Sequence, residues 1–186
     1  AAALSRLRLP AWGVLWDLGA GSGSVGIEAA ALRPDLDVWA VEKNSSRLRD
    51  MEENRRACGV TNYHIIGGDI SEKISSLPNP SRVFIGGGGK DIAGILKAAL
   101  LRLAPGGLAV VSAVTMETVA ALTGLFPQLR LSAVSLSVSE ERDFGPNLHM
   151  MAPEHQVYLF SYRAPEPGSI TPAAPLGGAE KNEERS

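Results

Sequence analysis

The sequence is poor in the residues that build disulfides and metal centres. Its 186 residues include a single cysteine, Cys58, and three histidines. A lone cysteine excludes an internal disulfide framework, and so few nitrogen and sulfur ligands leave no spacing typical of a metal site. We therefore predict that the chain binds no metal and works in a reducing, cytoplasmic setting.

Long apolar runs and an excess of one charge are also missing. No apolar segment approaches the roughly 20 residues that a membrane-spanning helix needs, and the first ten residues lack the organisation of a signal peptide. The 18 basic and 20 acidic residues are well mixed and give a net charge of −2. Because nucleic-acid binding usually shows a basic excess on one face, we predict neither a membrane nor a nucleic-acid partner.

What the sequence does contain is a regular alternation of short apolar runs and longer helical patterns. Predicted strands cover residues 14–18, 37–41, 62–66, 82–85 and 108–112. Predicted helices end at Pro10 and Leu32 and cover residues 45–58, 91–103 and 116–126. This alternation indicates βαβ units and a parallel sheet, hence an α/β fold. Two final alternating runs, 129–138 and 156–162, are joined by a polar loop and predict an antiparallel hairpin that completes a seven-stranded sheet.

Length and composition divide the sequence into two parts. A chain of 186 residues allows one domain with a single core, which we place at residues 1–163. Residues 164–186 are rich in Pro, Gly, Ala and Glu and have almost no large apolar residue, so we predict a disordered tail. The first ten residues look like the second half of an amphipathic helix, and we expect this domain to be excised from a longer protein.

The stretch around which the chain is organised is the glycine turn at residues 17–28, DLGAGSGSVGIE, between the first strand and the next helix. Gly19, Gly21 and Gly23 let the backbone turn sharply and approach a ligand closely, because no Cβ stands in the way. The turn also leaves the first N–H groups of the helix free to meet a carboxylate or phosphate. This arrangement predicts a nucleotide-like cofactor.

Two cofactor classes compete for the glycine turn. Residues 21–26 match the G-x-G-x-x-G pattern of dinucleotide sites, but a lone match is weak. In a dinucleotide site the first glycine directly follows the strand. Here the strand ends at about Leu18 and the match begins only at Gly21, so its register is wrong for a dinucleotide. The other pattern, an acidic residue followed by G-x-G-x-G, fits residues 17–23 without gaps. A dinucleotide-binding dehydrogenase or sensor domain remains the alternative of a different class.

The acidic glycine turn resembles the first motif of class I S-adenosylmethionine-dependent methyltransferases, which have a Rossmann-like fold. The resemblance implies that Glu42, ending the second strand, accepts hydrogen bonds from the ribose hydroxyls of the cofactor. It also implies that Asp69, after the third strand, lies beside the adenine amino group, while Asp17 orients the loop as much as it touches ligand. The implied cofactor-binding residues are Asp17, Gly19, Ala20, Gly21, Ser22, Gly23, Glu42, Lys43, Gly68, Asp69, Ile70 and Gly86.

The fourth predicted strand lacks the acceptor motif of many amine methyltransferases. Those enzymes often have Asn or Asp followed by two prolines and an aromatic residue there, whereas this strand runs into four glycines, 86–89. A floor without side chains leaves room for a wide, flat substrate close to the methyl group. A methyltransferase acting on RNA or another small molecule remains the alternative within the same class.

Four segments together narrow the resemblance: VLWDLGAGSGSVGIEA, AVEKN, FIGGGG and LAPGGLAVVSAVTMET. They resemble the decarboxylating precorrin methyltransferases of cobalamin (vitamin B12) biosynthesis. More closely, residues 1–163 are similar to the C-terminal domains of bifunctional precorrin-6Y C5,15-methyltransferases and their free-standing small-subunit equivalents. The resemblance implies methylation of a tetrapyrrole at C15, coupled to loss of carbon dioxide from the C12 acetate arm. It further implies a covalently linked N-terminal C5-methyltransferase domain and a homotetramer.

The implied reaction needs positioning more than a strong base. Loss of carbon dioxide leaves electron density in the ring, so the protein needs no nucleophile of its own. Because the substrate carries several carboxylates, we expect arginines, lysines and backbone donors around its cleft. The predicted catalytic residues are Glu117, Lys90 and His149, and the predicted substrate-binding residues are Gly87, Gly88, Lys90, Thr115, Met116 and Arg142. The alternatives are a helix-start acid for Glu117 and a solvated cation for Lys90.

Overall fold

The computed structural model describes residues 1–87 and 89–166, and it describes the backbone but not the side chain of Lys90. Three predictions therefore lie outside the described residues: substrate binding by Gly88, the role of the Lys90 side chain, and the disordered tail from residue 167 onward. Among the described residues, the α-helices are α1 (Ala2–Leu7), α2 (Ser24–Leu32), α3 (Ser45–Ala57), α4 (Ile70–Lys73), α5 (Ile92–Arg102) and α6 (Met116–Gly124).

The strands of the main sheet are β1 (Trp12–Leu18), β2 (Asp35–Glu42), β3 (Tyr63–Gly67), β4 (Arg82–Ile85), β5 (Leu108–Ala113), β6 (Arg130–Leu136) and β9 (Val157–Arg163). Two further strands, β7 (Ser139–Gly145) and β8 (Leu148–Pro153), pair only with each other in a small second sheet. Short 3₁₀ turns at Ile74–Ser76 and Gly89–Asp91 complete the regular structure. No helix in the described ranges is long and apolar enough to cross a bilayer.

The main sheet has the strand order β3-β2-β1-β4-β5-β9-β6. Strands β1 to β5 run parallel, and β9 is antiparallel to both of its neighbours, β5 and β6. The predicted mostly parallel seven-stranded sheet with an antiparallel C-terminal pair is confirmed. After β3 the chain crosses back to the other side of β1, so the strand order reverses there. Ligands of open α/β sheets bind outside the carboxyl ends of the strands at such a reversal.

Two apolar layers hold helices against the two faces of the sheet. Trp16 and Leu18 belong to the layer beneath α5 and α6, whereas Leu15 belongs to the layer beneath α1 and α2. Because the central strands are buried on both faces, they read as continuous apolar runs, which made them visible in the sequence. The one polar group of Trp16, its ring N–H, donates to the carbonyl of Pro78 at 2.8 Å. The core thus fixes the strand ends that carry the site.

The prediction of an irregular loop between the last two runs was wrong. Strands β7 and β8 pair antiparallel, from Ser139 opposite Pro153 to Gly145 opposite Leu148, and we call residues 139–153 the hairpin arm. Gly145 and Asn147 adopt the positive φ values of 143° and 57° that the turn requires. Nearly every residue of the arm is exposed. Without a buried face, no alternation of apolar and polar residues marks the strands.

Candidate active site

The glycine turn is pinned to the end of β2 by its own backbone. The N–H groups of Gly19 and Ala20 both donate to the carbonyl of Val41, at 2.9 and 3.1 Å. Gly19, Gly21 and Gly23 have φ values of +69°, +59° and +83°, a region that residues with a Cβ rarely adopt. The turn therefore needs glycine at all three positions, as the sequence predicted.

The glycines after β4 pack directly against this turn. A Cβ on Gly19 would lie 2.4 Å from the carbonyl oxygen of Gly87, and one on Gly86 would lie 3.0 Å from the carbonyl oxygen of Gly19. The Gly86 N–H donates to the carbonyl of Leu18 at 2.9 Å. These glycines thus bring two loops together backbone to backbone, in addition to leaving room above them.

Asp17 supports the turn from beneath. Its side chain is 1% exposed, and its Oδ2 accepts a 3.0 Å hydrogen bond from the Gly26 N–H in the first turn of α2. A Cβ on Gly26 would lie only 2.5 Å from that oxygen. Burial raises the pKa of Asp17 to about 7, against the lowering effect of the Gly26 N–H, and the charge of Glu42 adds to the rise. Asp17 orients the turn and does not line the cleft above it.

Glu42 links the turn to the loop after β2. Its Oε2 accepts from the Gly21 N–H, and its Oε1 accepts from the N–H groups of Lys43 and Asn44, each at 2.9 Å. The Asn44 side chain in turn caps α3 by accepting from the Ser46 N–H at 2.9 Å. A carboxylate has about four acceptor positions, so Glu42 is held firmly at the cleft while keeping capacity for a ligand hydroxyl.

Asp69 begins the next short helix. Its Oδ1 accepts from the backbone N–H and the hydroxyl of Ser71, at 3.0 and 2.8 Å, and these bonds lower its pKa, with a smaller contribution from Lys43. The Lys43 Nζ lies 3.7 Å from Asp69 Oδ2. The adjoining Gly68 donates its N–H to the Glu42 carbonyl at 3.0 Å. The ends of β2 and β3 therefore present two carboxylates side by side.

These strand ends open onto a cleft of about 640 Å³, which we call the first cleft. Such a volume suits a small-molecule ligand. Six of the predicted cofactor-binding residues line it: Gly19, Glu42, Lys43, Gly68, Asp69 and Ile70. The sequence reasoning missed Val41, Ser71, Asp91 and Ile95, which also line it. An apolar side pocket of about 160 Å³, between Ile70, Ile74, Ile95 and Ala98, extends from the cleft.

A second cleft, of about 560 Å³, adjoins the first and shares Gly87 and Gly89 with it. Its walls come from the end of β5 and the start of α6, and they include the predicted residues Gly86, Thr115 and Glu117. Thr115 caps α6 by accepting from the Thr118 N–H at 3.3 Å, and the two threonine hydroxyls lie 3.0 Å apart. Met116, also predicted here, is 75% exposed and is not among the lining residues.

Cations are scarce in both clefts. Among the described lining residues, Lys43 carries the one positive side chain. The expected ring of arginines and lysines is therefore not found in this part of the chain. Besides Lys43, the described side-chain donors are the hydroxyls of Ser71, Ser112, Thr115 and Thr118. The described ranges also contain no group of three or more His, Cys, Asp or Glu side chains that could hold a metal ion.

Two predicted residues lie on the hairpin arm, away from the described walls of both clefts. Arg142 pairs with the carboxylate of Glu154. His149 Nδ1 lies 3.1 Å from Asp143 Oδ1 and 3.3 Å from Glu141 Oε1. The structure gives each of them acidic partners on or beside the arm, and their contact with substrate stays a prediction.

Comparison with known proteins places this arrangement in a family. The precorrin methyltransferase domain family matches residues 1–164. The cobalt-precorrin-6B C(15)-methyltransferase (decarboxylating) of Salmonella typhimurium is 34% identical over 169 residues, which cover 89% of this chain and 86% of that protein. The precorrin-6Y C(5,15)-methyltransferase [decarboxylating] of a Sinorhizobium species is 32% identical over 132 residues. These residues cover 71% of this chain but only 32% of the length of the Sinorhizobium protein.

A solved structure agrees with the sequence relatives. The crystal structure of precorrin-6y C5,15-methyltransferase from Geobacter metallireducens GS-15 superposes with a TM-score of 0.81 and 31% sequence identity, and it covers 87% of this chain and 85% of that one. The residues matched by the family, 1–164, include the glycine turn, both clefts and the antiparallel end of the sheet. The chain belongs to the precorrin methyltransferase family, with the fold of class I S-adenosylmethionine-dependent methyltransferases.

Proposed function

We propose that this chain methylates a precorrin at C15 and removes carbon dioxide from the C12 acetate side chain, in cobalamin biosynthesis. The observation that carries the proposal is the junction of the two clefts at Gly87 and Gly89. A cofactor in the first cleft and a flat ring in the second meet there with no side chain of these glycines between them. The names of the Salmonella and Sinorhizobium relatives support this reaction.

The first cleft suits S-adenosylmethionine better than a dinucleotide. Among the described residues, its walls present three carboxylates, on Glu42, Asp69 and Asp91, against one lysine. This charge favours a cationic sulfonium and disfavours the two negative charges of a pyrophosphate. Glu42, with capacity for one further hydrogen bond, is proposed to accept from a ribose hydroxyl, and the apolar side pocket beside Ile70 and Ile95 is proposed to receive the adenine. When bound, the cofactor supplies an electrophilic methyl group.

The chain's own residues contribute positioning in the second cleft. The C–C bond to the lost carboxylate breaks and its electron pair passes into the conjugated ring, so that C15 becomes the nucleophile. No protein nucleophile is required, and the described walls of the cleft contain neither cysteine nor histidine. The hydroxyls of Thr115 and Thr118 are available to orient a substrate carboxylate. Glu117, in the first turn of α6, is proposed to orient the ring.

Incubation with the tetrapyrrole precursor and S-adenosylmethionine tests the proposed reaction. Mass analysis is expected to show a product that has gained one methyl group and lost one carbon dioxide. S-adenosylhomocysteine in place of the methyl donor is the control, and it should yield no methylated product. A product that gains the methyl group and retains carbon dioxide would contradict the coupled reaction, and methyl transfer to transfer RNA instead would favour the RNA alternative.

We also propose a cytoplasmic setting and a covalent link to a C5-methyltransferase domain. The Sinorhizobium relative supports the link, because its name includes methylation at C5 and this chain matches 32% of its length. The domain is proposed to extend over residues 1–163, although Ala164 also packs against the core and donates its N–H to the carbonyl of Gly107 at 2.9 Å. A precorrin is the proposed partner, without nucleic acid or membrane.

The hairpin arm supports assembly into a homotetramer. A two-stranded hairpin alone is marginally stable in water, yet this arm exposes Phe144 (70%), Leu148 (59%) and Met151 (63%). In size-exclusion chromatography with light scattering, we expect a mass of about four times the 19.6 kDa of one chain. The double variant Phe144→Ser/Met151→Ser is expected to have a smaller mass. Leu101→Ser, an exposed leucine on α5, is the matched control. An unchanged mass in the double variant would refute a role for the arm.

A further inference from the structure

A third, smaller cleft lies at the opposite end of the sheet from the glycine turn. Its volume is about 200 Å³, and its walls combine three serines, two arginines and two leucines. Leu108, the first residue of β5, lines it, whereas Ala113 at the other end of β5 lines the second cleft. The third cleft is therefore separated from the cofactor and substrate sites by the length of a strand.

A buried hydroxyl in this cleft has no partner. Ser161 of β9 is 5% exposed, and its Oγ makes no hydrogen bond with any residue in the described part of the chain. Ser132 of β6 pairs directly opposite Ser161, where β6 has an irregularity in register between Arg130 and Ser132. Both serines line the cleft. Because buried polar groups nearly always have a hydrogen-bond partner, the Ser161 hydroxyl indicates that a ligand or a water molecule hydrogen-bonds to it.

The same cleft carries unpaired positive charge. Arg6 and Arg8, at the end of α1, line it, and no carboxylate pairs with either among the described residues. Arg82 lies nearby, with its guanidinium donating to the carbonyls of Leu7 and Arg8. Burial lowers the pKa of Arg82, and the charge of Arg8 lowers it further. Three guanidinium groups thus cluster in a chain whose net charge is −2.

We propose that this arginine–serine cleft binds a small oxyanion, a phosphate or carboxylate group, between Arg6, Arg8 and Ser161. Guanidinium forks match such groups in geometry as well as charge, and the serine hydroxyls supply further donors. An anion there would relieve the repulsion between Arg8 and Arg82 and join α1 to strands β6 and β9. This inference does not depend on the proposed reaction.

Calorimetric titration of the intact chain with sodium phosphate and with sodium acetate, each at ionic strength matched with sodium chloride, tests the proposal. We expect saturable binding of at least one anion, and the double variant Arg6→Gln/Arg8→Gln should weaken it by about tenfold or more. Both arginines are exposed, so this variant should fold. Arg33→Gln, an exposed arginine at the end of α2, is the control and should bind as the original chain does.

The outcomes distinguish an anion site in the third cleft from anion binding in the first cleft and from ordered water at Ser161. Saturable phosphate binding identifies a phosphate site, saturable acetate binding identifies a carboxylate site, and either result must survive saturation of the first cleft with S-adenosylhomocysteine. Binding that this ligand abolishes would place the anion in the first cleft and overturn the proposal. Binding that is unchanged in the arginine variant, or absent for both anions, would also overturn it and leave ordered water as the partner of Ser161.

Discussion

Replacing Glu42 with alanine is expected to weaken the binding of S-adenosylhomocysteine by about tenfold or more. A hydrogen bond to a charged group contributes roughly 1.5–3 kcal/mol, so one lost ribose bond amounts to at least about 1.5 kcal/mol, and each 1.4 kcal/mol is tenfold in affinity. The variant also leaves the N–H groups of Gly21, Lys43 and Asn44 without their acceptor. Isothermal calorimetry measures the change directly.

Three further variants make this result specific. Glu53→Ala removes an exposed glutamate from α3, outside the described cleft walls, and should leave the affinity unchanged. Asp69→Ala should weaken binding by about tenfold, since one adenine contact is lost. Glu42→Gln keeps one acceptor oxygen and should fall between alanine and the original residue. If Glu42→Ala folds normally and binds with unchanged affinity, the proposed position of the cofactor is wrong.

The residues at the strand ends were accessible to sequence reasoning for a physical reason. Parallel strands bring their carboxyl ends to one edge of the sheet, so Glu42 and Asp69 had to lie together once β2 and β3 were recognised. The glycine turn was equally visible, because its three positive φ values need glycine in a fixed spacing. Six of the cofactor-binding residues implied by the resemblance line the first cleft, and Gly19, Glu42 and Asp69 among them follow from this reasoning.

Other parts of the site depend on contacts between distant segments. Asp91 and Ile95 reach the first cleft because α5 packs beside α4, and neither residue type marks a ligand by itself. The close approach of Gly19 and Gly87 joins residues that are far apart in the chain. The hairpin arm left no signal because both of its strands are exposed. An alternation of apolar and polar residues indicates a strand that packs one face against a core, so strands without a buried face show no such alternation.

The buried pair beneath the glycine turn could not be predicted from pattern either. In the sequence Tyr63 looks like an ordinary strand residue. Its hydroxyl nevertheless packs directly against Gly23, because a Cβ on Gly23 would lie 2.8 Å from it. The Asp17 Oδ1 and the Tyr63 hydroxyl are both buried without a hydrogen-bond partner among the described residues. Burial raises the pKa of Tyr63, and the charge of Asp17 raises it further. The cofactor turn thus rests on an acid that is costly to ionise.

The stability of the protein is therefore expected to fall as the pH rises from about 4 to about 7. The native state holds the Asp17 proton up to a pKa of about 7, whereas the unfolded chain releases it near 3.8. Between these values the unfolded state binds fewer protons than the native state, so stability decreases with pH and then levels off. A pKa difference of this size corresponds to roughly 4 kcal/mol, as an order of magnitude.

Asp17→Asn should remove this dependence, because the amide cannot ionise while its oxygen can still accept from the Gly26 N–H. The free energy of unfolding of the variant minus that of the original chain should therefore increase by on the order of 4 kcal/mol from pH 4 to pH 8. Urea denaturation across this range measures the difference, with Asp35→Asn, an exposed aspartate, as the control. Parallel stability profiles for Asp17→Asn and the original chain would show that Asp17 is ionised in the native state, and the turn would then rest on a buried charge.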